Sequence, residues 1–251
     1  MKLIDQVAVI TGAGRNIGEA TAKLLAREGA SIAVADIDAN RAGRVAEEIR
    51  AAGGTAEPFL ANVADEDGVK SLVKGVAQRF GKVDILVNNV AISDNKHILD
   101  VSKEEWDRVI AVTLTGTFLM SKYFAQQMVE QGHGGNIVNV GSTSGFYGRP
   151  RAVAYTAAKA GVTNLSRSLA IQLAKHRIRV NCVVPNKIGS PVGKDVFDPT
   201  RPVVNLRDRP GVPDDLARAI LFLVSSDSDF IDGTTLFVDG GVSALMPGSE
   251  G

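Results

Sequence analysis

Three residues have side chains suited to moving a proton to or from an alcohol oxygen. Tyr155 and Lys159 are four positions apart in a segment of helical period, and Ser142 lies thirteen positions before the tyrosine. Residues four apart on a helix share one face, so the phenol and the ammonium would lie side by side. A neighbouring cation favours the phenolate that a tyrosine base requires, and a serine hydroxyl can hold the substrate oxygen.

Each of these residues also has a simple structural explanation. Tyr-x-x-x-Lys pairs are common on the surfaces of amphipathic helices, and Ser142 could serve only in a turn. The chemical interpretation therefore depends on a second pattern elsewhere in the chain.

That second pattern is a set of glycines near the amino terminus. Gly12, Gly14 and Gly18 lie between the first apolar run and the first helical segment. The first glycine permits a tight turn, the second lets the backbone approach a pyrophosphate, and the third lets the helix pack on the sheet. The helix N-terminus then offers free N–H groups to phosphate. Any tight turn can use glycines, but this placement predicts a bound dinucleotide, whose nicotinamide would exchange a hydride with the carbinol carbon.

Asp36 supplies the second half of the predicted cofactor site. It ends the second apolar run, 24 positions after Gly12, near the ~20 expected for an acid that binds ribose hydroxyls. A carboxylate there repels a 2′-phosphate, so we predict NAD, with NADP second. Two alternatives stay open: Asp36 could only cap the next helix, and Arg15 could pair with a 2′-phosphate or be a solvated surface charge. The other residues that we expect to border the cofactor here are Asn16, Ile17 and Ile37.

Apolar runs of strand length alternate with segments of helical period along the chain. The predicted strands are Val7–Thr11, Ser31–Asp36, Thr55–Leu60, Val83–Asn88, Asn136–Gly141, Arg177–Val184 and Thr235–Val238. The predicted helices are one ending at Gly29, Ala39–Ala52, Glu66–Phe80, one from a capping box at Ser102 and Glu105 to Gly132, Val153–His176 and Asp214–Ser226. This alternation predicts an α/β fold, a doubly wound parallel sheet of Rossmann type with helices on both faces.

No linker or repeat divides the sequence, so we expect a single catalytic domain over residues 1–251. Pro58 places the third strand near a sheet edge. The segment Asn186–Asp208 has several prolines and glycines and no clear period, which is typical of a lid over a binding site.

Composition excludes several classes of function. The chain has 28 basic and 28 acidic residues, a balance that does not favour nucleic acid or an anionic membrane. No apolar stretch reaches the ~20 residues of a membrane span, and no signal segment precedes the first strand, so we expect a cytoplasmic protein. Cys182, the single cysteine, lies in an apolar run and is expected to be a buried structural thiol. The three histidines are scattered, and no metal is predicted.

Taken together, these motifs resemble those of the short-chain dehydrogenase/reductase family along nearly the whole chain. The residues that carry the resemblance are Thr11, Gly12, Gly14, Gly18, Asp36, Asn62, Val63, Asn88, Asn89, Ser142, Tyr155, Lys159, Pro185 and Val238–Gly241. The resemblance implies that Tyr155 is the acid/base, that Lys159 binds the nicotinamide ribose and lowers the tyrosine pKa, and that Ser142 orients the substrate oxygen. It also implies a homotetramer.

The resemblance further implies which residues contact the cofactor. Asn62 and Val63 would flank the adenine, Asn89 and Ala91 would lie along the cofactor, and Ile188 would meet the nicotinamide carboxamide. Pro185 matches the family pattern, whereas Ser190 stands where a threonine is usual and Ala91 where a glycine is usual. Three more positions depart from it: Thr113 stands where an asparagine often helps to hold a relay water, and Val90 and Asn186 replace an alanine and a glycine.

The substrate is less well defined than the cofactor, beyond a small alcohol or ketone. Walls are expected from Ser93–His97, Thr143–Arg151 and the predicted lid, with apolar surface from Phe146, Tyr147 and Phe197. The cations that could attract an anionic substrate, or could simply be solvated, are Arg149, Arg151, Lys187, Lys194 and Arg201. The long helices around Trp106–Gln131 and Tyr155 are apolar on more than one side, which also favours an oligomer.

Three functions are compatible with these patterns. The first is an NAD-dependent dehydrogenase or reductase of alcohols and ketones. The second is a sensor or scaffold that binds a dinucleotide without turnover. The third is a lyase, epimerase or dehydratase built on the same fold, since a fold alone does not determine a reaction.

Overall fold

A computed structural model describes residues 1–192, 194 and 196–245, so positions 193 and 195 of the predicted lid lie outside it. The strands are β1 Val7–Thr11, β2 Ser31–Asp36, β3 Thr55–Leu60, β4 Ile85–Asn88, β5 Gly135–Val140, β6 Ile178–Pro185 and β7 Thr235–Val238. The α-helices are α1 Asn16–Arg27, α2 Ala39–Ala51, α3 Glu66–Phe80, α4 Lys103–Ile110, α5 Gly116–Gln131, α6 Val153–Leu173 and α7 Pro213–Val224.

The strands form one parallel sheet in the order β3-β2-β1-β4-β5-β6-β7. One face is covered by α1, α2 and α7, and the other by α3, α5 and α6, so an apolar core fills each side. The predicted doubly wound α/β fold is confirmed. All strands run parallel, and successive strands are added on one side of β1 as far as β3 and on its other side from β4 onward. In such sheets ligands bind beyond the carboxyl ends of the strands at the point where this order reverses.

Three strands differ by one or two residues from the predicted bounds, and one of them, β5, spans Gly135–Val140 rather than Asn136–Gly141. Strand β4 begins at Ile85 rather than Val83, because the Asp84 carboxylate accepts the Val7 N–H at 2.8 Å. Strand β6 begins after Arg177, which has a left-handed backbone with φ of 58°. The edge position of β3, predicted from its proline, is confirmed.

The predicted long helix from the capping box to Gly132 is interrupted. The box at Ser102 and Glu105 is present and Gly132 ends the helix, but a π-helical turn at Ala111–Thr115 separates α4 from α5. Within that turn, the Thr113 hydroxyl accepts the Ile92 N–H at 3.1 Å and donates to the Ile92 carbonyl at 3.2 Å. Periodicity could not predict the extra residue, because π-turns are local and often lie at functional sites.

Between β6 and α7, the described residues form no helix or strand, apart from an isolated bridge between Ile188 and Gly211. Cys182 is buried on β6, as predicted. Within the described chain, no helix combines the length and apolar character needed to cross a membrane.

Candidate active site

A cavity of about 1320 Å³ opens at the carboxyl ends of the central strands. It is large enough for a dinucleotide and a substrate, since pockets for single small ligands are roughly 300–1,000 Å³. The predicted site residues that line it are Gly12, Arg15, Asn16, Ile17, Asp36, Ile37, Asn62, Val63, Asn89, Ala91, Ser142, Tyr155, Lys159, Pro185, Ile188 and Ser190. Gly14 and Gly18, the remaining two, lie behind this wall and shape it.

The glycine turn leaves no room for larger residues at its three glycines. Gly12 has a φ of +62°, a conformation that L side chains rarely adopt. A Cβ on Gly14 would lie 2.7 Å from an Asp36 carboxylate oxygen, and one on Gly18 would lie 2.1 Å from the Gly12 carbonyl oxygen. Asn16 and Ile17, in the first turn of α1, border the cavity. The helix terminus therefore faces the space that a bound phosphate would take.

Asp36 lines the cavity and is not the N-cap of the helix that follows it. Its Oδ2 accepts the Gly14 N–H at 2.9 Å and its Oδ1 accepts the Asp38 N–H at 3.0 Å. The N-cap of α2 is Asp38, whose carboxylate accepts the N–H groups of Asn40 and Arg41. The alternative that Asp36 only caps this helix is therefore wrong.

Two arginines lie at the same end of the cavity. Arg15 and Arg41 both line it. Burial lowers the pKa of the Arg15 guanidinium, the positive charge of Arg41 lowers it further, and the Asp36 carboxylate opposes both effects. Arg15 therefore lies with Asp36 at one end of the cavity. If a ribose bound there, the carboxylate would repel a 2′-phosphate on it, whereas the guanidinium would attract that phosphate.

Asn16 links the glycine turn to the segment after β6. Its backbone is left-handed with a φ of 53°, a region in which asparagine is enriched among non-glycine residues. Its amide nitrogen donates to the Ser190 carbonyl and its amide oxygen accepts the Ser190 N–H, both at 3.3 Å. Sequence reasoning placed both residues beside the cofactor but missed this contact, because they are 174 positions apart.

Tyr155 is positioned by a loop that sequence reasoning treated only as a cavity wall. The Asp94 carboxylate accepts the Tyr155 N–H at 3.3 Å, and the Lys96 carbonyl accepts the Ala152 N–H at 2.9 Å. Helix α6 begins at Val153, so these contacts satisfy free N–H groups at its first turn. The loop after β4 therefore fixes the start of the helix that carries the phenol.

The three predicted catalytic residues come together beyond the end of β5. The Lys159 Nζ lies 5.8 Å from the centre of the Tyr155 ring and donates to the Val140 carbonyl at 2.6 Å. Ser142 lines the same cavity, and its Oγ accepts the Ser144 N–H at 3.1 Å. All three side chains are buried, so each interacts strongly with a charge that develops beside it.

Burial is the largest influence on the pKa values of Tyr155 and Lys159. It raises the pKa of the Tyr155 phenol, although a hydrogen bond with Ser142 and the charge of Arg149 act in the opposite direction. The family resemblance implied a lowered pKa for Tyr155. In the protein without cofactor the pKa is raised instead, because the effect of desolvation is larger than the combined effects of Ser142 and Arg149. Burial also lowers the pKa of Lys159 to about 8.

The lowered pKa of Lys159 predicts a pH-dependent stability. Its pKa is about 8 when folded and has the ordinary value of 10.5 when unfolded. The folded state is therefore penalised below pH 8, and the penalty is relieved as the pH rises towards 10.5. The free energy of unfolding, relative to Lys159→Met, should rise over this window by up to about 1.4 kcal/mol per pH unit. Urea denaturation of the wild-type and Lys159→Met proteins between pH 8 and 10.5 measures the difference between their free energies of unfolding. A difference that does not change with pH would contradict the lowered pKa of Lys159.

Three of the departures from the family pattern have structural roles. The Thr113 hydroxyl is buried and bonded to Ile92, so it holds the loop after β4 instead of facing the cavity. Asn186 donates to the Thr143 hydroxyl at 2.7 Å. Val90 lies against the glycine turn, 3.1 Å from where a Gly12 Cβ would be. None of these contacts displaces the three predicted catalytic residues.

The predicted substrate walls are only partly present. Tyr147, Arg149, Lys187, Lys194 and Arg201 line the cavity, and so does Arg108, which sequence reasoning missed. Three of the aromatic and basic residues expected there, Phe146, Phe197 and Arg151, do not line it. From the predicted wall segments, Ser93, Asn95, Thr143, Ser144 and Gly148 also line the cavity. Phe146 packs instead on Phe237, with ring centres 4.9 Å apart.

Comparisons with known proteins find matches over nearly the whole chain. A family model described as enoyl-(acyl carrier protein) reductase matches residues 12–243. The chain is 41% identical over 247 residues to cis-4-hydroxycyclohexanecarboxylate dehydrogenase of Sinomonas cyclohexanicum, covering 96% of this chain and 98% of the relative. It is 37% identical over 245 residues to a 3-oxoacyl-(acyl-carrier-protein) reductase of Thermotoga maritima, covering 96% and 99%. A crystal structure of a short-chain type dehydrogenase/reductase from Mycobacterium marinum matches with a TM-score of 0.89 and 31% identity, over 97% of each chain.

Proposed function

Because the chain belongs to the short-chain dehydrogenase/reductase family, we propose that it is an NAD-dependent oxidoreductase that interconverts a secondary alcohol and a ketone. The proteins that are similar to this chain are named dehydrogenases and reductases, which act on CH–OH groups or the corresponding ketones. A bound nicotinamide would supply the hydride acceptor for the alcohol carbon, or the hydride donor for the ketone carbon.

A single observation carries this proposal. The Tyr155 phenol, the Lys159 ammonium and the Ser142 hydroxyl line the same cavity as the glycine turn and Asp36. A group that transfers protons to oxygen therefore lies in the space where a dinucleotide would bind, which is the arrangement that alcohol oxidation requires.

Each of the three side chains has a proposed task. The Ser142 hydroxyl donates a hydrogen bond to the ketone oxygen and orients it. The Tyr155 phenol gives its proton to that oxygen in reduction and takes it back in oxidation. The Lys159 ammonium, fixed by its bond to the Val140 carbonyl, presents positive charge that favours the phenolate.

We propose NAD rather than NADP as the cofactor, because Asp36 presents a carboxylate at the cofactor end of the cavity. Asp36→Ser is expected to raise the ratio of kcat/KM with NADP to that with NAD on the order of 10²-fold. The reason is that two like charges about 5 Å apart repel by about 3 kcal/mol at an effective dielectric constant near 20. Steady-state kinetics with both cofactors measure the ratio.

Asp38→Ser is the matched control for this change. It removes a carboxylate two residues away, but serine can still cap α2, so the ratio should stay at its wild-type value. A wild-type protein that prefers NADP would contradict the role proposed for Asp36.

We also propose that the chain forms a homotetramer. Phe118 on α5 is 43% exposed and Ile171 on α6 is 81% exposed, so each helix presents apolar surface away from the sheet. Light scattering should give a mass near four chains, and a monomer mass would contradict this assembly.

The test of the proposed function is a turnover screen at the 340 nm absorbance of the reduced cofactor. The wild-type protein is assayed with both cofactors against a panel of secondary alcohols and ketones. Turnover of panel members supports the oxidoreductase. Tight cofactor binding by calorimetry without turnover of any member would instead favour the non-catalytic sensor or scaffold.

A further inference from the structure

We propose that the substrate of this site is a carboxylate-bearing alcohol or ketone, whose carboxylate is bound by Arg201 and Arg149. This inference rests on the proposed function, because it names the substrate class of the same cavity. In the reaction, the alcohol carbon gives a hydride to the nicotinamide and the alcohol oxygen gives its proton to Tyr155. The carboxylate stays unchanged and serves only for recognition.

The first support is the separation of charge within the chain. The whole sequence has equal numbers of basic and acidic residues. Among the described residues that line the cavity, however, Asp36 is the single acid. The basic residues that line it are Arg15, Arg41, Arg108, Arg149, Lys159, Lys187, Lys194 and Arg201. A cavity lined by one sign of charge concentrates ligands of the opposite sign.

This excess is larger than a dinucleotide needs. A pyrophosphate brings two negative charges, whereas the described residues of the cavity wall include eight cations and one carboxylate. Arg15 and Arg41 lie beside Asp36, at the cofactor end. Several cations are therefore left for a second anion, which in an enzyme of this kind is the substrate.

The second support is the unsatisfied guanidinium of Arg201. Its Nε and Nη2 atoms are inaccessible to water and have no hydrogen-bond partner within the described chain. Asp198 is the nearby acid, but its Oδ1 accepts from the Thr200 N–H at 2.8 Å and from the Thr200 hydroxyl at 2.7 Å. Buried, unpaired donors of a charged group are costly, so an anion bound against this guanidinium would offset that cost.

The third support is the position of Arg201 near the reacting groups. Pro202, the next residue, accepts a hydrogen bond from the Lys187 Nζ at 3.0 Å. Asn186, the residue before that lysine, donates to Thr143 at 2.7 Å, and Thr143 directly follows the predicted catalytic serine. Through Lys187 and Asn186, these contacts connect the Arg201 segment to the loop that carries the predicted catalytic serine.

Arg149 provides the second cation beside the acid/base. Its guanidinium carbon lies 5.8 Å from the centre of the Tyr155 ring, and its side chain lines the cavity. A planar guanidinium binds a carboxylate through two parallel N–H donors. A substrate whose carboxylate meets these arginines would place its alcohol or ketone carbon within the same cavity as Tyr155.

The first experiment compares an acid with its neutral counterpart. Reduction of 4-oxocyclohexanecarboxylate and of 4-oxocyclohexanecarboxamide is followed by NADH oxidation. We expect kcat/KM to be at least about tenfold higher for the acid. Arg201→Gln and Arg149→Gln should each lower kcat/KM for the acid by about 10- to 100-fold, mainly through KM, because they remove a charged hydrogen bond.

Arg151→Gln is the matched control, because Arg151 is an exposed neighbour that does not line the cavity. It should retain the wild-type preference for the acid. Equal kcat/KM values for acid and amide in the wild-type protein would overturn the proposal while leaving the oxidoreductase function intact. So would a wild-type preference for the acid in Arg201→Gln and Arg149→Gln.

The second experiment needs no turnover. Calorimetry of the NADH-loaded protein measures the dissociation constants of cyclohexanecarboxylate, cyclohexanecarboxamide and cyclohexylphosphonate. The carboxylate should bind at least about tenfold more tightly than the amide, and Arg201→Gln should remove the difference. Equal binding, undetectable carboxylate binding, or tighter binding of the phosphonate would overturn the proposal. Preferential carboxylate binding without turnover of any ketone would support the anion site and contradict the oxidoreductase function.

Discussion

Replacing Tyr155 by phenylalanine is expected to lower kcat by about 10²- to 10⁴-fold, the range that a general acid/base contributes. The change removes one oxygen atom and leaves the ring packed in its buried place at the start of α6. The glycine turn and Asp36 are untouched, so the dissociation constant of NADH should stay nearly the same. Steady-state kinetics and NADH fluorescence titration measure the two quantities separately.

Tyr123→Phe provides the matched control for this prediction. The Tyr123 hydroxyl bonds to Glu66, on the face of the sheet that α3 and α5 cover, and it does not line the cavity. Its loss should leave kcat within about twofold of the wild-type value, as is usual for a surface change outside the site. Wild-type activity in Tyr155→Phe would refute the acid/base assignment, whatever the result for Tyr123→Phe.

The fold and most of the cavity wall could be predicted because the signals are local. Strand β1, the glycines after it and helix α1 are contiguous, so apolar period and turn chemistry act on one short stretch. The carboxyl ends of parallel strands meet at one edge of the sheet. Asp36, Ser142 and the start of α6 could therefore be placed together without any knowledge of long-range contacts.

The contacts that align these elements could not be predicted, because they join distant parts of the chain. Asn16 meets Ser190 across 174 positions, and Asp94 meets the Tyr155 N–H across 61. Loop side chains have no periodicity that indicates their partners. The same limit applies to Arg201: its sequence neighbours suggest a solvated cation, and only the folded chain shows its unpaired nitrogens.

A second strong effect is expected from adding a single methyl group to α1. A Cβ on Gly18 would lie 2.1 Å from the Gly12 carbonyl oxygen and 2.9 Å from the Ala13 Cα. Both atoms belong to the backbone, so no side-chain rotation relieves the contact and the helix must move away from β1. Gly18→Ala should lower the free energy of unfolding by about 1–3 kcal/mol, the usual cost of overpacking. Displacing the helix N-terminus should also raise the dissociation constant of NADH on the order of 10²-fold.

Gly43→Ala makes the same chemical change on the neighbouring helix α2, where a Cβ would have no atom within 4 Å. That protein should instead gain about 0.5–1 kcal/mol, because alanine loses less backbone entropy in a helix than glycine does. Urea denaturation and NADH titration of the two variants therefore separate close packing at the turn from helix propensity. If Gly18→Ala matched Gly43→Ala in stability and in NADH affinity, the turn would not be a closely packed phosphate cradle. The proposed binding of a pyrophosphate at that turn would then lose its structural basis.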